Sequence, residues 1–310
     1  MEQIEEKSAI ISDGVPETIS CSIPRSIGTT ILVAINFVEG YIFRQHFEYL
    51  RTAVQCTPMM FDSEGFTVMR ANGPETMITK SRFYGSKLLE YQFNSDAILR
   101  MQESMKDPDY NPESPSYTIN INTPEFINHI KSLTKRSSIR LIQFAEHPDK
   151  VICQLSGSSK GSESTIFLQT EFFDRKRYVI DDGIAPNAKP NAKTPTAIFC
   201  ASCNDLERAR LGYGIFQCYP NAVTLYSANE RATSGRVAHW TSEFQPGVGR
   251  IIPQSAVTFT RVPISVIKTL KKMSGWGMGI VSVYSGVSGI VRIESNISCF
   301  GYNVTYLIEK

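Results

Sequence analysis

The one residue spacing in this sequence that could do covalent chemistry is Cys200-Ala-Ser-Cys203. Two thiols separated by two residues match the dithiol pattern of redox sites, and they admit a thiol-active enzyme as one reading and ordinary free thiols as the other. Zinc is not served, because no second cysteine pair accompanies the first and His46, His129, His147 and His239 are scattered. The glycine-rich phosphate loop, the dinucleotide fingerprint, the HExxH zinc helix and the GxSxG elbow do not occur. No carboxylate pair stands at a spacing that alone supports acid–base work. These residues describe a non-enzyme with no expected metal or cofactor.

What remains is charge. Between Pro263 and Gly275 the sequence holds Lys268, Lys271 and Lys272 and no acid. Pro263 suits a first helical turn and Gly275 a stop. Ile264, Ile267, Leu270 and Ser274 fall on one side at helical spacing and the lysines mostly on the other. A solvated surface helix would look the same. Recurrence of such helices, each followed by strands, is what gives the lysines a second meaning.

The elements that would position these charges follow in order. Residues 1–27 are polar, mixed and read as an extension. Thr29–Phe37 alternates as a strand. Gly40–Gln55 reads as a helix with Phe43, Phe47, Leu50 and Val54 inward and Arg44, Glu48 and Arg51 on another side. Strands are expected at Met59–Asp62, Gly65–Arg70, Thr76–Phe83 and Leu88–Asn94. Ser95–Ser116, with three prolines, reads as a loop insertion. After a strand at Tyr117–Asn122, Thr123, Pro124 and Glu125 signal a helix start capped by the threonine, running to about Lys135. Phe126, Ile130 and Leu133 point inward, with His129, Lys131, Lys135 and Arg136 on or near the polar side. Strands at Ile139–Phe144, Lys150–Leu155 and Ser164–Thr170 complete the first half.

Residues 172–194 are polar, hold Pro186 and Pro190, repeat PNAK and read as a linker. The pattern then restarts. Thr196–Ala201 is strand-like and Cys203–Tyr213 helix-like, with Leu206, Ala209 and Tyr213 inward. Strands follow at Ile215–Tyr219, Ala222–Ser227, Arg236–Ser242 and Gln254–Thr260, then the lysine helix, then strands at Ile280–Tyr284, Ile290–Ser295 and Tyr302–Ile308. The fold class is therefore α+β, an architecture repeated within and between halves. The domains are expected at 28–171 and 195–310.

The four helical segments carry ten cations: Arg44, Arg51, Lys131, Lys135, Arg136, Arg208, Arg210, Lys268, Lys271 and Lys272. Their acids are Glu48, Glu125, Asp205 and Glu207, so these segments hold +6 of a chain whose net charge is +2, and the remainder holds −4. The third segment's own charges cancel. Segregation of this kind suits a polyanionic partner, with a polyphosphate backbone foremost.

At this point the chain resembles the proliferating cell nuclear antigen family of sliding clamps. The likeness lies in FRQHFEYLRTAVQ followed by MMFDSEGFTVMRA in the first half. In the second it lies in CNDLERARLGYG, AVTLYSA, VTFTRVPISVIKTLKKMSG and the final strand. Asp182, Gly183, Ile184, Ala185 and Pro186 resemble the family's interdomain connector. The resemblance covers about Thr29 to Lys310. It implies two similar clamp domains, each with two helices on antiparallel sheets, joined by a connector at 172–194. It implies a ring, usually of three subunits, whose helices face duplex DNA and which tethers DNA polymerase and other replication or repair proteins. The cations named above, with His129, are then DNA-facing candidates. Contacts to phosphate position a protein without reading sequence, as sliding requires.

The resemblance further implies a partner-peptide pocket at Ala71, Ile78, Val179, Ile180, Ile184, Tyr306 and Ile308. Glu309 stands where the family usually has proline. Subunit contacts would join edge strands near 165–170 and 235–241, through Ile166, Leu168, Val237 and Trp240. A non-ring DNA-bound polymerase accessory factor with the same fold is the alternative. Seven scattered cysteines and no hydrophobic signal core point to an intracellular protein without a membrane anchor, at the nucleus or a viral replication site. The divergent and extra segments fit a large DNA virus as well as a cell.

Overall fold

A computed structural model describes residues 29–51, 56–157, 162–167, 180–208, 212–228, 237–241 and 257–309. The first half runs β1 (Ile31–Phe37), α1 (Gly40–Arg51), β2 (Cys56–Asp62), β3 (Gly65–Ala71), β4 (Met77–Tyr84), β5 (Glu90–Phe93), α2 (Ser95–Met105), β6 (Tyr117–Asn122), α3 (Thr123–Ile130), β7 (Ser138–Phe144), β8 (Lys150–Ser156) and β9 (Ser162–Phe167). The second half runs β10 (Ala192–Pro195), α4 (Thr196–Arg208), β11 (Tyr213–Tyr219), β12 (Ala222–Ala228), β13 (Val237–Thr241), β14 (Thr258–Pro263), α5 (Ile264–Leu270), β15 (Gly277–Ser285), β16 (Val291–Ile297) and β17 (Gly301–Leu307).

The strands form three antiparallel sheets. One is β5-β1-β7-β8-β9 from the first half, and another is β13-β12-β11-β14 from the second. The third, β10-β15-β16-β17-β4-β3-β2-β6, crosses from one half to the other where β17 pairs with β4. Gly301 lies so close to this seam that a Cβ there would stand 1.9 Å from the Arg82 carbonyl oxygen, so the backbones approach only because the residue is glycine.

Beneath the seam the core is aromatic. Phe37 contacts Phe43, Phe83 and, from the second half, Phe300 at ring separations of 4.9, 5.5 and 4.9 Å. Trp276 of the second half lies 5.2 Å from His46 and 5.4 Å from Tyr49 of α1. Beside these rings is a buried polar network. Asn303 donates to Thr79 and Ser81 at 2.8 Å each, accepts from Thr305 at 2.9 Å, and Thr305 meets the Tyr49 hydroxyl at 2.9 Å. A satisfied network in a dry core fixes which residues stand opposite one another, because any slip strands its members.

Several sequence expectations are corrected. Residues 95–105 are not loop but α2. Asn94 caps it by accepting from the Ala97 amide at 3.1 Å, and Ala97, Ile98 and Gln102 turn inward. The prolines that suggested a loop lie beyond its end. The cap of α3 is Asn122, not Thr123: its Oδ1 accepts from the Glu125 amide at 3.1 Å, while Thr123 is buried against Thr57. That helix ends at Ile130, and turns occupy the stretch expected to be helical up to Lys135. Thr196–Ala201 is helical, the strand being Ala192–Pro195 before it. Pro195 closes that strand, and Phe199, Cys200, Cys203 and Leu206 recur at helical spacing on the buried face. Ser274, expected inward, is exposed in a 3-10 turn, Lys271–Gly275, that follows α5.

Candidate nucleic-acid interface

Four helices form one layer. α1 contacts α3 on one side and the 3-10 turn after α5 on the other, and α4 contacts α5 and the same turn. Each helix turns its apolar face to the sheets: Phe43, Phe47 and Leu50 from α1, Phe126 and Ile130 from α3, Phe199, Cys203 and Leu206 from α4, Ile267 and Leu270 from α5. Positions between these face away from the core.

On that layer Arg51, Lys131, Lys135, Arg136 and Lys268 are exposed and His129 is half-buried. Arg44, Lys271 and Lys272 are engaged by groups of the chain itself. Arg44, with 20% of its side chain exposed, donates through Nη1 to the carbonyls of Lys131 and Leu133 at 2.8 Å each and pairs with Glu48 at 3.3 Å. Lys271 pairs with Glu207, to which Lys268 comes within 4.0 Å. Lys272 reaches the Glu48 carbonyl at 3.4 Å. Burial lowers the Lys272 pKa, and Lys268, Arg51 and Lys271 lower it further, while Glu48 opposes them. Cations gathered around a partly buried ammonium favour an arriving anion. Arg44, read from sequence as DNA-facing, is thus bound within the fold. The side chain of Arg208 and all of Arg210 lie outside the described residues. α4 itself exposes Ala197, Ile198 and Ala201, and no described cation.

Three of the expected peptide-site residues, Ala71, Ile78 and Tyr306, share one cross-strand row over β3, β4 and β17, which continues to Arg292 on β16 and Tyr284 on β15. Ala71 and Ile78 are closed off, and Tyr306, Ile180, Ile184 and Ile308 are half-exposed. Val179 lies outside the described residues. A groove of about 590 Å³ lies further along this face, lined by Ile280, Glu294, Tyr302 and Val304 among others, and none of the expected residues borders it.

The connector is anchored at Asp182. Its carboxylate accepts from Arg292 at 3.0 Å and from the Ile184 amide at 2.9 Å, and its carbonyl accepts from the Val287 amide at 2.9 Å. Gly183 adopts φ +63°, where a Cβ would meet Val287 at 2.5 Å. This explains glycine at that position physically. Val287 and Phe259 stand exposed nearby, and neither was singled out from the sequence.

The expected interface residues divide. Ile166 is wholly buried, and Trp240 is buried 5.2 Å from Phe199, so both serve the core of their own chain. Strand alternation is the reason: every second side chain of an edge strand turns inward, and only the backbone edge is left to join another strand. β9 and β13 are the outer strands of their sheets among the described residues. Leu168 and the side chain of Val237 lie outside them.

Cys200 and Cys203 are buried, which pushes the Cys200 thiol up to about 12 and Cys203 well above its ordinary value. Thiols so placed are inert, contrary to a thiol-active enzyme. Among the described residues no group of three His, Cys, Asp or Glu could hold a metal, and no helix is long and apolar enough to cross a membrane.

Solved structures share this architecture. The PCNA2–PCNA3 complex of Sulfolobus tokodaii superposes with a TM-score of 0.66 at 12% identity, over 89% of this chain and 98% of that one. Proliferating Cellular Nuclear Antigen of Entamoeba histolytica gives 0.65 at 15% identity, over 91% and 100%. This is the sliding-clamp fold. No family model matches the sequence, and no curated protein matches it. The clamp fold is here an α+β architecture of two clamp-like domains.

Proposed function

We propose that the chain is a subunit of a sequence-independent DNA clamp, a processivity factor for DNA polymerase. The observation that carries this reading is the gathering of Arg51, Lys131, Lys135, Arg136 and Lys268 on one helix layer drawn from both halves. Duplex DNA would pass along that layer, held by phosphate contacts that carry no base information. The clamp units are residues 28–171 and 195–310, joined by a connector at 172–194, with 1–27 as an extension. Copies join β9 of one to β13 of the next, most simply as a homotrimeric ring. Polymerase and other replication or repair proteins dock beside the connector at Ile180, Ile184, Tyr306 and Ile308. Its place of work is intracellular, in a nucleus or at a viral replication site.

The test is topological. The native mass of the assembly gives its copy number. A ring loaded on closed circular DNA stays bound and slides off the same DNA once it is linearised. Equal, salt-sensitive retention on both substitutes the non-ring accessory factor for the ring. Ile184→Ala with Tyr306→Ala weakens capture of a polymerase-derived peptide without unfolding; unchanged affinity removes the docking site from the account.

A further inference from the structure

We propose that Arg44 is a positioning residue: it sets the loop carrying Lys131, Lys135 and Arg136 and does not itself touch phosphate. This rests on the reading of the helix layer as DNA-facing.

The loop after α3 is held at both ends. Arg44 donates to the carbonyl of Lys131, the C-cap of α3, and to that of Leu133, two residues further on. Leu133 is buried, and its Cδ2 would stand 2.9 Å from a Cβ on Gly40, so α1 begins with a residue that leaves room for it. The Gly40 amide donates to the Ser137 carbonyl at 2.8 Å, closing the other end. Between these anchors Thr134 and Ser137 bond to each other through both hydroxyls and backbone. The three exposed cations therefore sit on a short loop whose inner side is pinned to α1. Arg44 itself is committed: two carbonyls, the Glu48 carboxylate at 3.3 Å and the Tyr41 ring at 5.0 Å surround its guanidinium. Nη1 serves both carbonyls and Nε stands 3.3 Å from the Glu48 carboxylate, so the guanidinium is held by its own chain before any phosphate arrives.

The experiment measures affinity for a short blunt duplex and amide hydrogen exchange over 131–137, in full-length protein. The variants are Arg44→Ala, the triple Lys131→Ala/Lys135→Ala/Arg136→Ala, and their combination. Each phosphate contact is worth about 8-fold in affinity near 0.1 M salt. The expected result is faster exchange over 131–137 in Arg44→Ala, an affinity loss of about 8-fold or more in both the single and the triple variant, and no further loss when they are combined. A further loss of about 8-fold in the combination, with exchange unchanged, makes Arg44 a direct contact and overturns the proposal. Arg44→Gln, which keeps one donor and much of the packing, gives intermediate exchange and affinity, and serves if Arg44→Ala does not fold. If the triple variant binds DNA as tightly as the parent, the DNA-facing reading fails instead, and the exchange result alone still decides whether Arg44 holds the loop.

Discussion

Removing the Asp182 carboxylate tests how the connector is tied to the central sheet. Asp182→Ala deletes an ion pair with Arg292, whose two side chains are 9% and 14% exposed, and the hydrogen bond from the Ile184 amide. A hydrogen bond to a charged partner contributes about 1.5–3 kcal/mol and a neutral one about 0.5–1.5. Stranding a buried charge outright costs about 3–5 kcal/mol. That upper value is not reached, because Arg292 retains Glu294 at 3.0 Å and the Tyr284 ring at 4.5 Å. The expected cost is about 2–4 kcal/mol. It is read from urea unfolding followed by two coincident probes, with the denaturant slope unchanged. Paired with Arg292→Met in a double-mutant cycle, the coupling should be at least about 1.5 kcal/mol. Exchange at the Val287 amide, which donates to the Asp182 carbonyl, should quicken in the single variant. A cost below about 0.5 kcal/mol, the level of an ordinary surface substitution, with no coupling, refutes the anchoring argument.

Three further outcomes follow from the same geometry. Neutralising Lys131, Lys135 and Arg136 together should flatten the salt dependence of duplex binding by about 2.7 in log–log slope, whereas Lys271→Ala, which breaks a pair with Glu207, should leave the slope unchanged. His46 is wholly buried among Phe47, Tyr49, Phe83 and Trp276, and burial lowers its pKa from 6.5 to about 3. The unfolded chain then binds the extra proton between those values. Stability is full above pH 6.5 and falls by about 1.4 kcal/mol per pH unit below it, a slope that unfolding titrations of His46→Leu should lack. Alkylation of the native protein followed by peptide mass mapping should label exposed Cys299 rapidly and buried Cys153, Cys200, Cys203 and Cys218 slowly; fast labelling of Cys200 would revive the dithiol reading.

The strands were legible because alternation survives wherever one face of a sheet is buried: Tyr117–Asn122 is where the pattern put it, and most others shift by one to three residues. α2 was not, because Pro108, Pro112 and Pro115 lent their loop character to the helix before them. α4 was misplaced because Thr196, Ile198 and Phe199 favour strands singly, while the burial of Phe199, Cys203 and Leu206 overrides that preference. At the interface the sequence supplied the sign of the charge but not its engagement. Lys131 and Arg44 read alike in one dimension. Only the fold reveals that one is open to solvent and the other is spent on its neighbour's carbonyls. Likewise Trp240 and Ile166 sit on edge strands, and which side of the strand they occupy is a matter of register, not residue type.

The joint between β4 and β17 has a consequence for how the protein is made. Asn303 and Thr79, bonded across it, are 224 residues apart in the chain. During synthesis β4 is produced before β17 by that length of chain and must wait, with one flank unpaired, until β17 has emerged. The central sheet is therefore completed only once β17 is available, and until then the chain carries a sticky border that invites the wrong partner.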